Sequence, residues 1–231
     1  CTARSAPAEA PAKTVAAFDV ALEVTREFST PELHRIRTGI GALDSIIGGF
    51  RPGELVVVGA RTSQGKSVFA LRLARGIWHA ERRPVLYHSL EMSRQELVKR
   101  CIADVASIEN WRVQRADWVS DEQEQRAYKH AAGIAEWRGL HFLDASVPFS
   151  DTCALYEQWA AMHGNAAAIL VDYIGLVRGV RGAERRYQEL GIITHTLKAM
   201  ARRLGIVVVA VSQLNRQAAS SDGPPQLHEL R

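Results

Sequence analysis

Residues 60 to 67, Ala60-Arg61-Thr62-Ser63-Gln64-Gly65-Lys66-Ser67, set a glycine, a lysine and a hydroxyl at the spacing of the phosphate loop G-x-x-x-x-G-K-[ST], with Ala60 in place of the first glycine. In such a loop successive backbone N–H groups curl round an anion, and the following helix adds the partial positive charge of its N-terminus. Gly65 lets the loop close tightly, Lys66 is long enough to reach the β- and γ-phosphates of a nucleotide, and the Ser67 hydroxyl can ligate Mg²⁺. Gly59 stands one place too early to replace the missing glycine, so Ala60, which carries a Cβ, has to keep a negative φ or accept mild strain. Gly-Lys-Ser alone is a weak signal; its surroundings have to decide.

A nucleotide-hydrolysing site also needs a carboxylate for the metal and a group that orients water. Asp172 closes the run AAAILVD, residues 166–172, which places its carboxylate at the carboxyl end of a strand or, more simply, at the start of a loop. Glu91 lies just past a second strand. Because Ser93 with Glu96 forms a capping box for the next helix, Glu91 is not needed as a cap and is available as a base. Gln213 follows the apolar run 205–212, where an amide could touch a γ-phosphate or serve as a turn residue.

The elements around these residues alternate. Leu55 to Val58 is a β-rich run behind the Pro52-Gly53 turn, and residues 66–80 carry a helical period through Phe69, Leu73 and Ile77. Strand, turn and helix in that order are the context a phosphate loop requires. Val85 to Ser89 predicts a second strand, followed by a helix with Leu97 and Ile102 on its apolar face. Residues 109–138 are charged, tryptophan-containing and helical; a strand at 140–143, a helix over 151–163 and a strand at 168–171 follow. The helix over 186–204 keeps Leu190, Ile193, Leu197, Ala201 and Leu204 at helical spacing, ahead of a buried strand at 206–211. Apolar strands separated by helices predict an α/β fold with a mostly parallel sheet flanked by helices on both faces. In such sheets ligands lie at the carboxyl ends of strands.

Ahead of this domain, residues 1–13 are rich in Ala and Pro and read as linker. Residues 14–28 predict a short helix with Val15, Phe18 and Leu22 on one stripe, which needs a docking partner to be stable, such as another subunit. The expected organisation is a linker with a candidate docking helix over 1–30 and the nucleotide domain over 31–231.

The 231 residues, 47% of them hydrophobic, suffice for one large core. A net charge of +4 and a pI near 9.1 permit nucleic-acid binding without demanding it. Cys1, Cys101 and Cys153 form no ligand-like cluster, which argues against a disulfide framework or zinc site and fits a reducing cytosol. The longest apolar runs are too short to cross a bilayer, and no signal peptide opens the chain, so a cytoplasmic protein is expected. The first residue is Cys rather than Met, which suggests a piece of something longer.

Taken together, TGIGALDSIIGGFRPGELVVVGARTSQGKS, SLEMS, ILVDYIGLVRG, RYQELGIITHTLKAMARRLGI and VVAVSQLNR resemble the RecA-type motor domain of the DnaB replicative helicases. The resemblance covers about residues 35–231, apart from a poorly matching stretch near 106–166, and SLEMS and SQLNR in the right order are far more specific than the phosphate loop. Ala at the first loop position is common in that family. Gly175 is a larger departure, since a Gln usually follows the Asp-Tyr-hydrophobic triplet there.

The resemblance implies a RecA-like P-loop NTPase core that uses ATP and Mg²⁺, with Glu91 as catalytic base, Lys66 on the phosphates, Ser67 and Asp172 on the metal and Gln213 sensing the γ-phosphate. It implies a homohexameric ring on single-stranded DNA, with a primase and a helicase loader as further partners and no membrane. Residues 177–186, VRGVRGAERR, form a flexible basic segment, and by resemblance Arg178, Arg181, Arg185 and Arg186 line the DNA channel, with Asn215 and Arg216 in the same region. On charge alone that loop reads more readily as a solvated surface. The helix over residues 14–28 resembles the linker helix that packs on a neighbouring motor domain. An arginine finger is expected from the neighbouring subunit, and the chain stops at QLHELR, before the distal strands that normally carry it. Two other readings are a recombination or repair ATPase of the RadA kind, disfavoured by SLEMS and by the absence of a zinc-like cysteine cluster, and an ATP-binding scaffold or loader without unwinding activity.

Overall fold

The computed structural model describes residues 16–29, 35–61, 64–178 and 186–213. Contacts divide the chain into two units, residues 1–34 and 35–231. The first contains helix α1 (Ala17–Ser29). On it Phe18 and Leu22 are exposed, so within this chain the predicted stripe is not a core face; Val15 lies outside the described residues.

The second unit is built on five strands, β1 (Leu55–Ala60), β2 (Val85–Ser89), β3 (Leu140–Leu143), β4 (Ala168–Asp172) and β5 (Val207–Gln213). They form one all-parallel sheet in the order β1-β5-β4-β2-β3. Every residue of β2 and β4 is buried, as strands covered on both faces require, including the polar His88, Ser89 and Asp172.

The alternation of side chains divides the core in two. Val85, Tyr87, Leu170, Val209 and Val211 pack under α3 (Lys66–Glu81) and α4 (Arg94–Ala106), against Leu73, Ile77, Leu97 and Cys101. Leu86, Ile169, Val171, Val208 and Ala210 face the other way, toward Tyr156 and Trp159 of α7 (Phe149–His163) and Ile193 and Leu197 of α8 (Arg186–Leu204). A small separate cluster, including Ile108, Val113 and Ala127, joins α4 to α5 (Asn110–Arg115) and α6 (Asp121–Ile134) within the poorly matching stretch.

Two details depart from the expectation. Leu73 and Ile77 of the predicted α3 stripe are buried, but Phe69 is exposed; the buried face is completed by Ala70, Leu71, Ala74 and Trp78. A short helix, α2 (Gly41–Ile47), and an antiparallel bridge between Ile36 and Phe50 precede β1. This segment crosses α3 at Gly76, where an added Cβ would collide with the Thr38 carbonyl oxygen. Only glycine admits that backbone approach.

No helix among the described residues is long and apolar enough to cross a membrane.

Candidate nucleotide site

The connection after β2 leads outward to β3, while that after β4 leads back to β5. Neighbouring strands whose connections diverge leave a crevice beyond their carboxyl ends, and ligands of open α/β sheets bind there. Asp172 is the last residue of β4 and pairs in register with Ser89, the last of β2. The Asp172 carbonyl then accepts from Leu90 N–H at 2.8 Å, so Glu91 leaves the sheet directly beside the aspartate.

The phosphate loop reaches the same crevice. Ala60 ends β1, pairs with Gln213 at the end of β5, and is not among the described non-glycine residues with positive φ. Gln213 thus belongs to the strand it was expected to follow. Arg61 and exposed Gln64 flank Thr62 and Ser63, which lie outside the described residues. Gly65 caps α3 at φ 77°, a left-handed conformation that costs other residues energy, with space around it for a Cβ. Helix α3 has no side-chain cap and no acid in its first turn. Its first N–H groups lack intrahelical partners and can point at an anion.

Lys66 spans the gap between loop and crevice. Its Nζ lies 3.9 Å from Glu91 Oε2 and 4.6 Å from the centre of the Tyr173 ring. The lysine side chain is 12% exposed and the glutamate 54%, so the acid remains open to water while the ammonium is largely enclosed. The capping box is present: Ser93 Oγ accepts from Glu96 N–H, and the Glu96 carboxylate accepts from Ser93 N–H at 2.9 Å. The Ser93 N–H, together with the Ser93 hydroxyl that donates to the same carboxylate oxygen at 2.8 Å, holds the Glu96 carboxyl below its usual range.

Asp172 is buried, with 1% of its surface exposed. Oδ2 accepts from the Tyr87 hydroxyl at 2.7 Å, whereas Oδ1 is buried without a hydrogen-bond partner among the described residues. A buried carboxylate oxygen in that state is costly unless something else satisfies it, and a cation beside the Ser67 end of α3 would do so. The donor set of one carboxylate and one hydroxyl, next to a helix N-terminus, suits Mg²⁺ held jointly by protein and phosphates.

Two tyrosines of the site carry no role in the sequence reading. Tyr87 lies inside an apolar strand run, where the adjacent polar pair Tyr87-His88 is the available signal. Tyr173 stands within one of the family-like motifs, beside Asp172. Its ring also accounts for Gly175: a Cβ there would lie 2.6 Å from Tyr173 Cε2 and 2.9 Å from Cδ2.

Of the expected DNA-contacting residues, Arg178 is exposed, its carbonyl accepting from Phe149 N–H at 3.0 Å. Arg186 opens α8. Arg181, Arg185, Asn215 and Arg216 lie outside the described residues.

Parallel sheet, phosphate loop and strand-end acids define a P-loop domain of RecA-like architecture. The chain belongs to the family described as DnaB-like helicase C terminal domain, whose model matches residues 35–231. It is 31% identical over 219 residues to the replicative DNA helicase DnaB of Haemophilus influenzae, covering 92% of this chain and 47% of that protein. To the replicative DNA helicase DnaB of Geobacillus stearothermophilus it is 32% identical over 203 residues, covering 87% and 44%. The chain therefore spans less than half the length of these relatives. Among solved structures, an ATPase domain superposes with a TM-score of 0.81 at 26% identity, covering 94% of this chain and 78% of that one. A DnaB-like replicative helicase, studied with its interactions with primase, superposes with a TM-score of 0.83 at 26% identity, covering 95% and 53%.

Proposed function

We propose that this chain is the motor domain of an ATP-dependent replicative DNA helicase, coupling Mg-ATP hydrolysis at subunit boundaries to translocation on single-stranded DNA and unwinding of the duplex. The observation that carries the reading is the meeting of Lys66 and Glu91 across one crevice, 3.9 Å apart, in a chain of the DnaB-like family.

The N–H groups at the start of α3 and the Lys66 ammonium bind the β- and γ-phosphates. Ser67 and Asp172 would hold Mg²⁺, which would supply positive charge against the phosphates. Glu91, exposed enough to meet water, accepts a proton as the water oxygen attacks the γ-phosphorus and the bond to the ADP oxygen breaks. Phosphate binding draws Lys66 away from Glu91, and the carboxylate is then left for the water. Gln213 senses whether the γ-phosphate is present, a role supported by its pairing with Ala60 at the end of the phosphate-loop strand.

Arg178, Arg181, Arg185, Arg186, Asn215 and Arg216 are assigned to the DNA backbone. A homohexameric ring follows from the family resemblance, its head-to-tail contacts closing on themselves. Helix α1 docks on a neighbouring motor domain, in keeping with its exposed Phe18 and Leu22. A primase is a partner by analogy with the DnaB-like helicase studied with one, a loader follows from the family resemblance, and the setting is the cytoplasm.

A nucleotide-binding scaffold is the competing reading. The intact protein, assayed with and without single-stranded DNA, is expected to hydrolyse ATP several-fold faster with DNA and to unwind a forked duplex. Slow hydrolysis indifferent to DNA, with no unwinding, would favour the scaffold.

A further inference from the structure

Tyr87 lies in the middle of β2 with 0% of its surface exposed, in the core layer beneath α3. Buried tyrosines need a partner for the hydroxyl, and most find a backbone carbonyl or water. Here Oη lies 2.7 Å from Asp172 Oδ2 and 3.4 Å from the Ser67 carbonyl oxygen. One phenol proton cannot serve both acceptors, and the shorter bond to a charged oxygen takes it. The hydroxyl therefore stands between the end of β4 and the first turn of α3, the two places that supply the metal ligands.

The placement follows from the sheet. Tyr87 pairs with Leu170, and two residues further on Ser89 pairs with Asp172, so tyrosine and aspartate project on the same face of neighbouring strands. The effect on the carboxylate is selective. Oδ2 is occupied, and Oδ1 is the buried oxygen left without a partner among the described residues. A carboxylate held at neither oxygen could rotate and present either, so the phenol decides which one is offered.

We propose that Tyr87 is a positioning residue of the metal site: by holding Oδ2 it keeps Asp172 oriented so that Oδ1 is presented to Mg²⁺. It acts through Asp172 and touches neither metal nor nucleotide. The proposal rests on the reading of Asp172 and Ser67 as metal ligands.

Tyr87→Phe removes a single oxygen atom and leaves the ring in the core. In the intact protein, binding of a fluorescent ADP is measured while Mg²⁺ is titrated, and again in EDTA. The variant is expected to need about tenfold more Mg²⁺ for half-maximal enhancement of binding, the size of one lost hydrogen bond to a charged group, with affinity in EDTA unchanged. A Mg²⁺ requirement within about twofold of the unaltered protein, with only a lowered Tm, would reduce Tyr87 to packing and overturn the proposal. If Tyr87→Phe does not fold, 3-fluorotyrosine at position 87 keeps the hydroxyl and gives a ¹⁹F signal. That signal should shift with Mg²⁺ and ADP together and not with ADP in EDTA; no Mg²⁺-dependent shift overturns the proposal as well. Should the unaltered protein bind nucleotide with no Mg²⁺ dependence at all, the metal site itself falls and this inference with it. Normal dependence that survives Tyr87→Phe removes this inference alone.

Discussion

Lys66 Nζ and Glu91 Oε2 lie 3.9 Å apart, the lysine opening α3 behind β1 and the glutamate in the loop after β2, two strands with β5 and β4 between them in the sheet. The pair joins the group that would bind phosphate to the group that would activate water. At 3.9 Å, with the acid half in solvent, the contact is a weak ion pair that a phosphate can displace. The Tyr173 ring on Lys66 gives the ammonium a second, uncharged partner.

Gly175 makes that ring position possible. Its φ is not among the positive values of the described glycines, so alanine is conformationally acceptable there and only the Tyr173 ring opposes a Cβ. Gly175→Ala is therefore expected to destabilise the unaltered protein by about 1–3 kcal/mol, the usual cost of overpacking. In a Tyr173→Ala background the same change should be neutral or stabilise by about 0.4–1 kcal/mol, because the unfolded chain then loses entropy without a clash. Chemical denaturation of the four proteins measures this; equal effects in both backgrounds would contradict the packing argument.

Much of this organisation is legible in the sequence, for physical reasons that also mark where it stops. Val85–Ser89 and Arg186–Leu204 have the bounds expected of them, and Ser93-Glu96 forms its box, because apolar runs, helical period and caps are local signals. Phe69 falls outside the core because the buried face of α3, while it keeps Leu73 and Ile77, is centred toward Ala70, Ala74 and Trp78, a rotation that depends on what covers the helix. Neither the Tyr87–Asp172 bond, between residues 85 positions apart, nor the Tyr173 ring over Lys66 is legible, since both follow from strand order and register. In the basic loop, the residues that carry the DNA reading remain a matter of charge and resemblance.

That reading has a salt-dependent signature. Each phosphate contact made by an arginine releases counterions, so each one lost should flatten the slope of log K against log salt by about 0.7 on single strands. Replacing Arg178 and Arg181 together is expected to weaken binding to every sequence and to reduce the slope by about 1.4, leaving DNA-independent hydrolysis nearly intact. Fluorescence anisotropy with a labelled oligonucleotide at several salt concentrations gives the slope. A solvated loop would leave it unchanged.

His88 should set an acid limit on stability. It is wholly buried beside Tyr87 on β2; Nε2 lies 2.9 Å from the Ala145 carbonyl oxygen, which only accepts, so Nε2 carries the proton and Nδ1 accepts from the Tyr156 hydroxyl at 2.6 Å. Burial pulls the imidazole below its usual 6.5, outweighing the opposing effects of the Ala145 bond and of Asp144. Below 6.5 the unfolded chain binds a proton that the folded one resists, so this contribution is complete above that pH and declines as the pH falls toward the lowered folded value. His141, also lowered by burial and by His163, acts in the same direction. Urea denaturation at a series of pH values should show stability falling below about 6.5, less steeply in His88→Gln. An identical slope in the variant would remove His88 from the account.

The central claim, that Lys66 and Glu91 divide binding from hydrolysis, is tested by measuring ATP affinity and ATP turnover separately in Lys66→Ala and Glu91→Gln of the intact protein. Lys66→Ala is expected to lose nucleotide binding. Glu91→Gln is expected to keep it and to lose turnover by about 10²–10⁴-fold, the usual contribution of a general base. Normal turnover in Lys66→Ala, or lost binding in Glu91→Gln, would contradict the assignment.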